Sequence, residues 1–315
     1  MNYRVSQVLN GERLDKALAI LTNINREKII LKIESGEIEV NGKIISTKSF
    51  RVKTDDLISC DLTELISQGE LLPNPTITFK VVFEDEHILV IDKPAGLVVH
   101  PSSLGSKNDL TKTLVSQLIH KYPQMKEVGE SFRPGIVHRL DKDTTGLMVI
   151  AKRAQAYEKL KVAVKDHLIK RKYHAIVIGT FKDKFGKIEA PIGRSLTNKI
   201  KMAVVENGKP AVTHFKVLET FAGELSCSFV EVDLETGRTH QIRVHFSELD
   251  HAVLGDKLYG QKLKYGKIVL TRPMLHASQL CFEHPVTAKD IVVESELPDD
   301  FESVLSILRL LKSGR

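Results

Sequence analysis

Polar and charged side chains crowd one stretch of this 315-residue chain, Arg133 to Lys152, which reads RPGIVHRLDKDTTGLMVIAK. They fall where one apolar run ends and the next begins, and loops held by rigid strands are where catalytic groups usually sit. Asp141, Asp143, Thr145 and Gly146 imitate the opening of an EF-hand calcium loop. That loop needs a bidentate Glu at its twelfth position, and counting from Asp141 that position is Lys152. Apolar strands rather than helices flank it, so the calcium reading fails and a charged surface turn is the plain alternative. A second polar group, Arg238, Thr239 and His240, stands at the expected start of a helix through HQIRVHFSEL, where backbone N–H groups attract anions. The three cysteines, Cys60, Cys227 and Cys281, are far apart and form no CxxC pair, so neither a zinc site nor a disulfide framework is indicated.

HRLDKDTTG at 138–146 resembles the signature of the RluA/RluD family of pseudouridine synthases. DKPAGLVVHP (92–101), LETGRTHQIRVH (234–245), LGDKLYG (254–260) and LHA (275–277) are similar to further family segments, in the family's order. RLDKAL, Asn25-Arg26 and GEIEVNG near the N-terminus resemble an S4 RNA-binding domain, with Asn25 where that family often has Ser. KPAVTHFKVLE together with LETGRTHQIRVH leans towards the branch acting on large-subunit (23S) ribosomal RNA.

The resemblance implies isomerisation of a uridine already in RNA: the N1–C1′ bond breaks, the uracil turns, and C5 bonds to C1′. It implies neither metal nor cofactor. Asp141 matches the catalytic aspartate, acting as nucleophile at C1′ or as base at C2′; either role needs an ionised carboxylate. Burial raises a carboxyl pKa and an arginine partner opposes that; Arg243 matches the arginine that pairs with this aspartate. Tyr173 matches the active-site tyrosine, packing on the uracil with its hydroxyl near the C5 proton. Arg139 matches an arginine that fills the stack vacated by the flipped base, and it shares a face with Asp141 if the strand persists that far. Arg238 and His240 support the pocket or a phosphate, and His138 is structural. In the S4 module Arg13, Arg26, Lys28 and Lys32 are the RNA-binding candidates, with Lys28 and Lys32 on one helical face. A non-catalytic RNA-binding or ribosome-assembly factor, a synthase acting on transfer RNA, and a nucleoside-directed hydrolase are the alternatives.

These groups must be held by two bodies of α+β class. Leu14, Ala17, Leu18 and Leu21 recur at helical spacing, and Ile29, Ile30 and Ile33 mark a second helix ending at Gly36. Asn41-Gly42 inside EIEVNGKII signals a hairpin. This helix–helix–hairpin module spans 1–65. SQGELLPNPTI makes 66–76 the linker, and 77–315 form the catalytic domain on a mixed, largely antiparallel sheet. Strands are expected over FKVVFED, HILVIDKPAG, GIVHRL, GLMVIAK, KYHAIVIG, KIKMAVV, AVTHFKVLE and LSCSFVEVDLE. Helices are expected from Asn108 or Asp109, over QAYEKLKVAVKDHL, after a Thr239 cap, and over PDDFESVLSILRLLK.

Composition agrees with a soluble polyanion-binding enzyme. Hydrophobic residues make up 42% and charged residues 27%, enough apolar content for a sizeable core. Net charge is +6; residues 1–65 carry 10 basic and 10 acidic residues, so the excess lies in the 36 basic and 30 acidic residues that follow. No apolar run approaches a membrane span, and the opening residues have no apolar signal core, so a cytoplasmic protein is expected, with a monomer as the default; the family resemblance implies ribosomal RNA or a pre-ribosomal particle as its partner.

Overall fold

The computed structural model describes residues 1–22, 24, 26–62, 71–101, 110–198, 200–223, 225–260 and 270–313. By its contacts the chain forms two compact units. One is Met1–Ile77 with His100–Lys126 and Glu130–Pro134; the other is Thr78–Val99 with Glu127–Gly129 and Gly135–Arg315. This division departs from the sequence boundary, because residues 100–126 group with the N-terminal part. Residues 71–76 are also no free linker: the Leu72 and Asn74 amides donate to the carbonyls of Leu110 and Ser116 at 3.4 and 3.0 Å.

In the first unit the chain runs β1 (Asn2–Arg4), α1 (Leu14–Thr22), α2 (Arg26–Glu34), β2 (Ile38–Val40), β3 (Lys43–Ile44) and β4 (Leu57–Cys60). The strands form one sheet in the order β1-β4-β2-β3. The apolar faces read from the sequence meet there: Leu14, Ala17, Leu18, Ile29, Ile33, Ile38 and Ile58 are fully buried together. Asn41 and Gly42 both take positive φ, 53° and 74°, as a two-residue hairpin turn of the primed type requires. Gly36, at φ 75°, ends α2. Asn25 lies outside the described residues. So do Asn108 and Asp109, and the helix expected after them, α3, is described over Leu114–Lys121.

In the second unit follow β5 (Lys80–Glu84), β6 (Ile88–Lys93), β9 (Thr145–Ala151), α4 (Ala154–Lys165) and β10 (Lys170–Ile178), while the short β8 (Arg133–Pro134) falls in the first unit and β7 (Gly129–Glu130) at the division. Then come β11 (Phe185–Glu189), β12 (Ile192–Arg194), β13 (Met202–Val204), β14 (Val212–Phe221), β15 (Cys227–Leu234), α5 (Gln241–Glu248), β16 (Leu275–Glu283), β17 (Asp290–Glu294) and α6 (Asp299–Ser313). A nine-stranded sheet runs β11-β14-β15-β10-β16-β9-β6-β5, with β17 also on β16. Every pairing in it is antiparallel except β9 with β16, so the sheet is mixed and largely antiparallel. Ala156, Tyr157 and Leu160 of α4 bury against β6, β9 and β16. Phe301, Val304, Leu305 and Leu308 of α6 bury against Ile176, Phe229 and Met274.

GIVHRL is not a strand. It makes a single bridge, Ile136 to Ile150, and the Gly135 carbonyl accepts the Ala151 N–H at 2.9 Å. The next amide of β9 on this edge, Val149 N–H, donates instead to His138 Nε2 at 3.1 Å. A side chain thus takes the place of a backbone carbonyl, and the chain is released from the sheet at His138 so that Arg139, Leu140 and Asp141 can turn away from it.

Candidate active site

Asp141 opens a tight turn closed by the Thr144 N–H on the Asp141 carbonyl at 3.2 Å. Two residues anchor this turn to the sheet. Gly146, at φ 110°, lets β9 and β16 approach: a Cβ there would lie 2.2 Å from the Ala277 carbonyl oxygen and 2.6 Å from its nitrogen. Lys93, across from Gly146 in the β6–β9 register, is fully buried. Its Nζ donates to the carbonyls of Pro94 (2.8 Å), Leu97 (3.0 Å) and Lys142 (2.9 Å). One amine therefore ties the DKPAG turn to the residue after Asp141.

Arg243 comes from α5, a helix whose first six residues are all buried. Its N-cap is His240, in the left-handed region at φ 56°, and not Thr239. Gln241 ties the start of this helix to its surroundings: its Oε1 accepts from the Arg238 N–H (2.9 Å) and Thr236 hydroxyl (2.7 Å), while its Nε2 donates to the Val212 carbonyl (2.9 Å). Arg243 then reaches across 102 positions of sequence: Nη1 donates to Asp141 Oδ2 at 2.9 Å. His240 Nε2 lies 3.8 Å from the other oxygen, Oδ1.

Tyr173 stands on β10, opposite Val232 and Ala277, where a register irregularity between Lys172 and Tyr173 re-aims the strand. It is buried, and burial pushes its hydroxyl above the ordinary phenol pKa; Arg171 opposes this and Asp141 adds to it. Asp141, Tyr173, Arg243, Arg139, Arg238 and His240 line one cleft together with Leu140, Thr144 and Leu275. Arg139 is exposed at that cleft, and it reaches it from a loop, not from the strand face it was expected to share with Asp141. Arg238 Nε donates to the Pro210 carbonyl at 3.0 Å.

Burial lowers the pKa of His240, against Asp141, which pulls the other way. Burial alone would lower that of Arg243, but the hydrogen bonds and charges of Asp256 and Asp141 outweigh it and raise the guanidinium above its ordinary value. His138 is held neutral, its pKa pushed down to about 3 by burial and by Arg171.

Sequence reasoning passed over Asp256 and Tyr259, although both lie in the quoted LGDKLYG segment. Asp256 is buried and grips Arg243 with both oxygens, Nε to Oδ2 at 2.6 Å and Nη2 to Oδ1 at 3.0 Å. The Tyr259 ring lies 5.0 Å from the Arg243 guanidinium carbon, and its hydroxyl is 2.8 Å from His240 Nδ1.

The S4 candidates all lie in the first unit. Arg13 holds Asp15 with Nε and Nη2, each at 3.0 Å, and Arg26 Nε donates to the same fully buried carboxylate at 2.8 Å. Both arginines are thus committed to Asp15, Arg26 joining α2 to α1 and Arg13 holding the start of α1, with their outer edges in solvent. Lys32 pairs with Glu37, and Lys28 sits one turn earlier on α2.

Comparison with known proteins gives this architecture its relatives. The sequence model described as RNA pseudouridylate synthase matches residues 87–248, and that of the S4 domain matches 12–58. The chain is 38% identical to ribosomal large subunit pseudouridine synthase D of Zymomonas mobilis over 97% of its own length and 96% of that protein. It is 41% identical to the protein of the same name from Pseudomonas aeruginosa, over 96% and 93%. Among solved structures, human RNA pseudouridylate synthase domain containing 4 superposes with a TM-score of 0.57 at 27% identity, covering 73% of this chain and 93% of that one. Since the matched span carries Asp141, Tyr173 and Arg243, and the relatives align along nearly the whole length, the chain belongs to the RNA pseudouridylate synthase family.

Proposed function

We propose that the protein converts specific uridines of large-subunit ribosomal RNA to pseudouridine, with Asp141 as the reacting carboxylate. The observation that carries the reading is the 2.9 Å pairing of Arg243 with one oxygen of Asp141 in a cleft also lined by Tyr173. The arginine offsets the cost of holding a charge there and turns the carboxylate. Its other oxygen faces the cleft as nucleophile at C1′ or base at C2′. The N1–C1′ bond breaks, C5 bonds to C1′, the C5 hydrogen leaves as a proton and N1 gains one. Tyr173 packs on the uracil with its hydroxyl near the C5 proton, and burial favours the neutral phenol there. Arg139, exposed at the cleft, is suited to fill the stack that a flipped uridine leaves, because its guanidinium is planar. Arg238 and His240 hold the cleft wall. Lys28 and Lys32 take phosphate contacts from α2, and the outer edges of Arg13 and Arg26 extend that face. The relatives named for the large ribosomal subunit support the choice of RNA.

The test is tritium release from large-subunit RNA lacking its modifications and labelled at uracil C5, because the isomerisation must lose that hydrogen. Wild-type protein should release tritium. Asp141→Asn, which removes a charge and almost no volume, should release none while melting at the same temperature. Near-wild-type release by Asp141→Asn would remove Asp141 from the mechanism. Release from transfer RNA alone would move the substrate to the alternative class, and silence on both RNAs would overturn the enzymatic reading.

A further inference from the structure

The segment Val253–Gly260 is built more firmly than a surface connection needs to be. Val253 bridges Val177, and the Leu254 N–H donates to the Ile176 carbonyl at 2.8 Å, so the segment is sewn to β10, the strand of Tyr173. Gly255, at φ 82°, passes so close to Arg272 that a Cβ would meet its carbonyl oxygen at 2.3 Å. The turn that follows presents Asp256, whose side chain is fully buried.

Asp256 does two things at once. It takes the Nε and Nη2 edge of Arg243, so the guanidinium cannot rotate and Nη1 is the arm that meets Asp141. Its Oδ1 also accepts the backbone amides of Leu258 (2.9 Å) and Tyr259 (3.1 Å), which fixes where the Tyr259 ring begins. That ring covers the guanidinium and brings its hydroxyl to His240 Nδ1 at 2.8 Å. The same hydroxyl accepts the Met202 N–H at 2.8 Å, and it donates its own proton to Nδ1 in the tautomer that leaves Nδ1 unprotonated. A neutral His240 with Nδ1 accepting carries its proton on Nε2, the nitrogen 3.8 Å from Asp141 Oδ1. A movement of about 1 Å closes that gap into a hydrogen bond.

We propose that Asp256 is the positioning residue of this site: through Arg243 it fixes one oxygen of Asp141, and through Tyr259 it turns His240 towards the other. The proposal rests on the reading of Asp141 as the reacting carboxylate.

Full-length variants in the tritium-release assay test it, with melting curves alongside. Asp256→Asn keeps an acceptor for the Leu258 and Tyr259 amides and loses the charged grip on Arg243. It should lower kcat about 100-fold with KM changed less than about threefold, since positioning acts on the reacting geometry. In an Arg243→Lys background the same change should cost under about threefold more, because residues acting through one another are not additive. Tyr259→Phe, which keeps the ring but takes the acceptor from the Met202 N–H, carries the second arm. It should lower kcat about fivefold with unchanged KM, and add nothing in a His240→Ala background. If Asp256→Asn does not fold, the Tyr259 arm alone decides. Wild-type kcat in either folded variant, or costs that multiply in the double mutants, would overturn the positioning. An active Asp141→Asn would instead bring down the reading beneath it; a dead Asp141→Asn beside a normal Asp256→Asn would sink the positioning alone.

Discussion

A histidine three residues before the aspartate proposed to react invites a proton-transfer role, and the environment of His138 forbids one. Its Nε2 is occupied by the Val149 N–H, it is buried, and its pKa is pushed down to about 3. The folded-state value lies below the unfolded imidazole value, so the stability it contributes is complete above about pH 6.5 and is lost as pH falls towards the folded value. Between pH 6.5 and 5 that loss amounts to about 2 kcal/mol. His138→Gln can still accept from Val149 but does not titrate. Denaturant unfolding at pH 7.5 and 5 should therefore show a smaller fall for the variant than for the wild type; equal falls would mean that His138 is not held neutral.

At the scale of elements, the parallel contact of β9 with β16 spans only two residue pairs, His276 with Thr145 and Ala277 with Gly146. It exists because Gly146 has no Cβ. Gly146→Ala puts a methyl within 2.2 Å of the Ala277 carbonyl at a φ of 110°. It should cost about 3 kcal/mol or more in denaturant unfolding and carry activity down with it, because the Asp141 turn leads directly into that residue. A loss under about 1 kcal/mol would show that the strands part without penalty. Both S4 helices, the Asn41-Gly42 hairpin and the strands β5, β6, β9, β10, β13, β14 and β15 were legible, because period and turn residues announce them. β11, β12, β16 and β17 were not. LHASQLCFE breaks strict alternation since β16 is covered on both sides, and polar His276 and Ser278 are buried in it. GIVHRL was misread because alternation cannot show that a histidine side chain will serve where a carbonyl was expected. Asp141, Tyr173 and Arg243 were singled out by motif, and the fold brings them to one cleft. The partnership of Asp256 was not, since 13 positions separate it from Arg243 and only the fold makes them neighbours.

For the molecule as a whole, charge is the property that a polyanion feels, and the +6 net charge lies beyond residue 65. With Arg13 and Arg26 bound to Asp15, the S4 unit offers RNA a few cations rather than a broad field. RNA affinity should fall with salt at a log–log slope of about −0.7 per phosphate contacted on single strands. Lys28→Ala and Lys32→Ala should each flatten that slope by about 0.7, without changing kcat at saturating RNA. An unchanged slope would take α2 off the RNA. Among the described residues, no helix is long and apolar enough to cross a membrane. Lys93 offers a different view of the intact molecule. Its amine is sealed under the Pro94–Leu97 turn and the Lys142 carbonyl, so an acylating reagent reaches it only when those backbones part. Its labelling rate, divided by that of an exposed lysine, is therefore a clock for how often the loop that carries Asp141 comes loose.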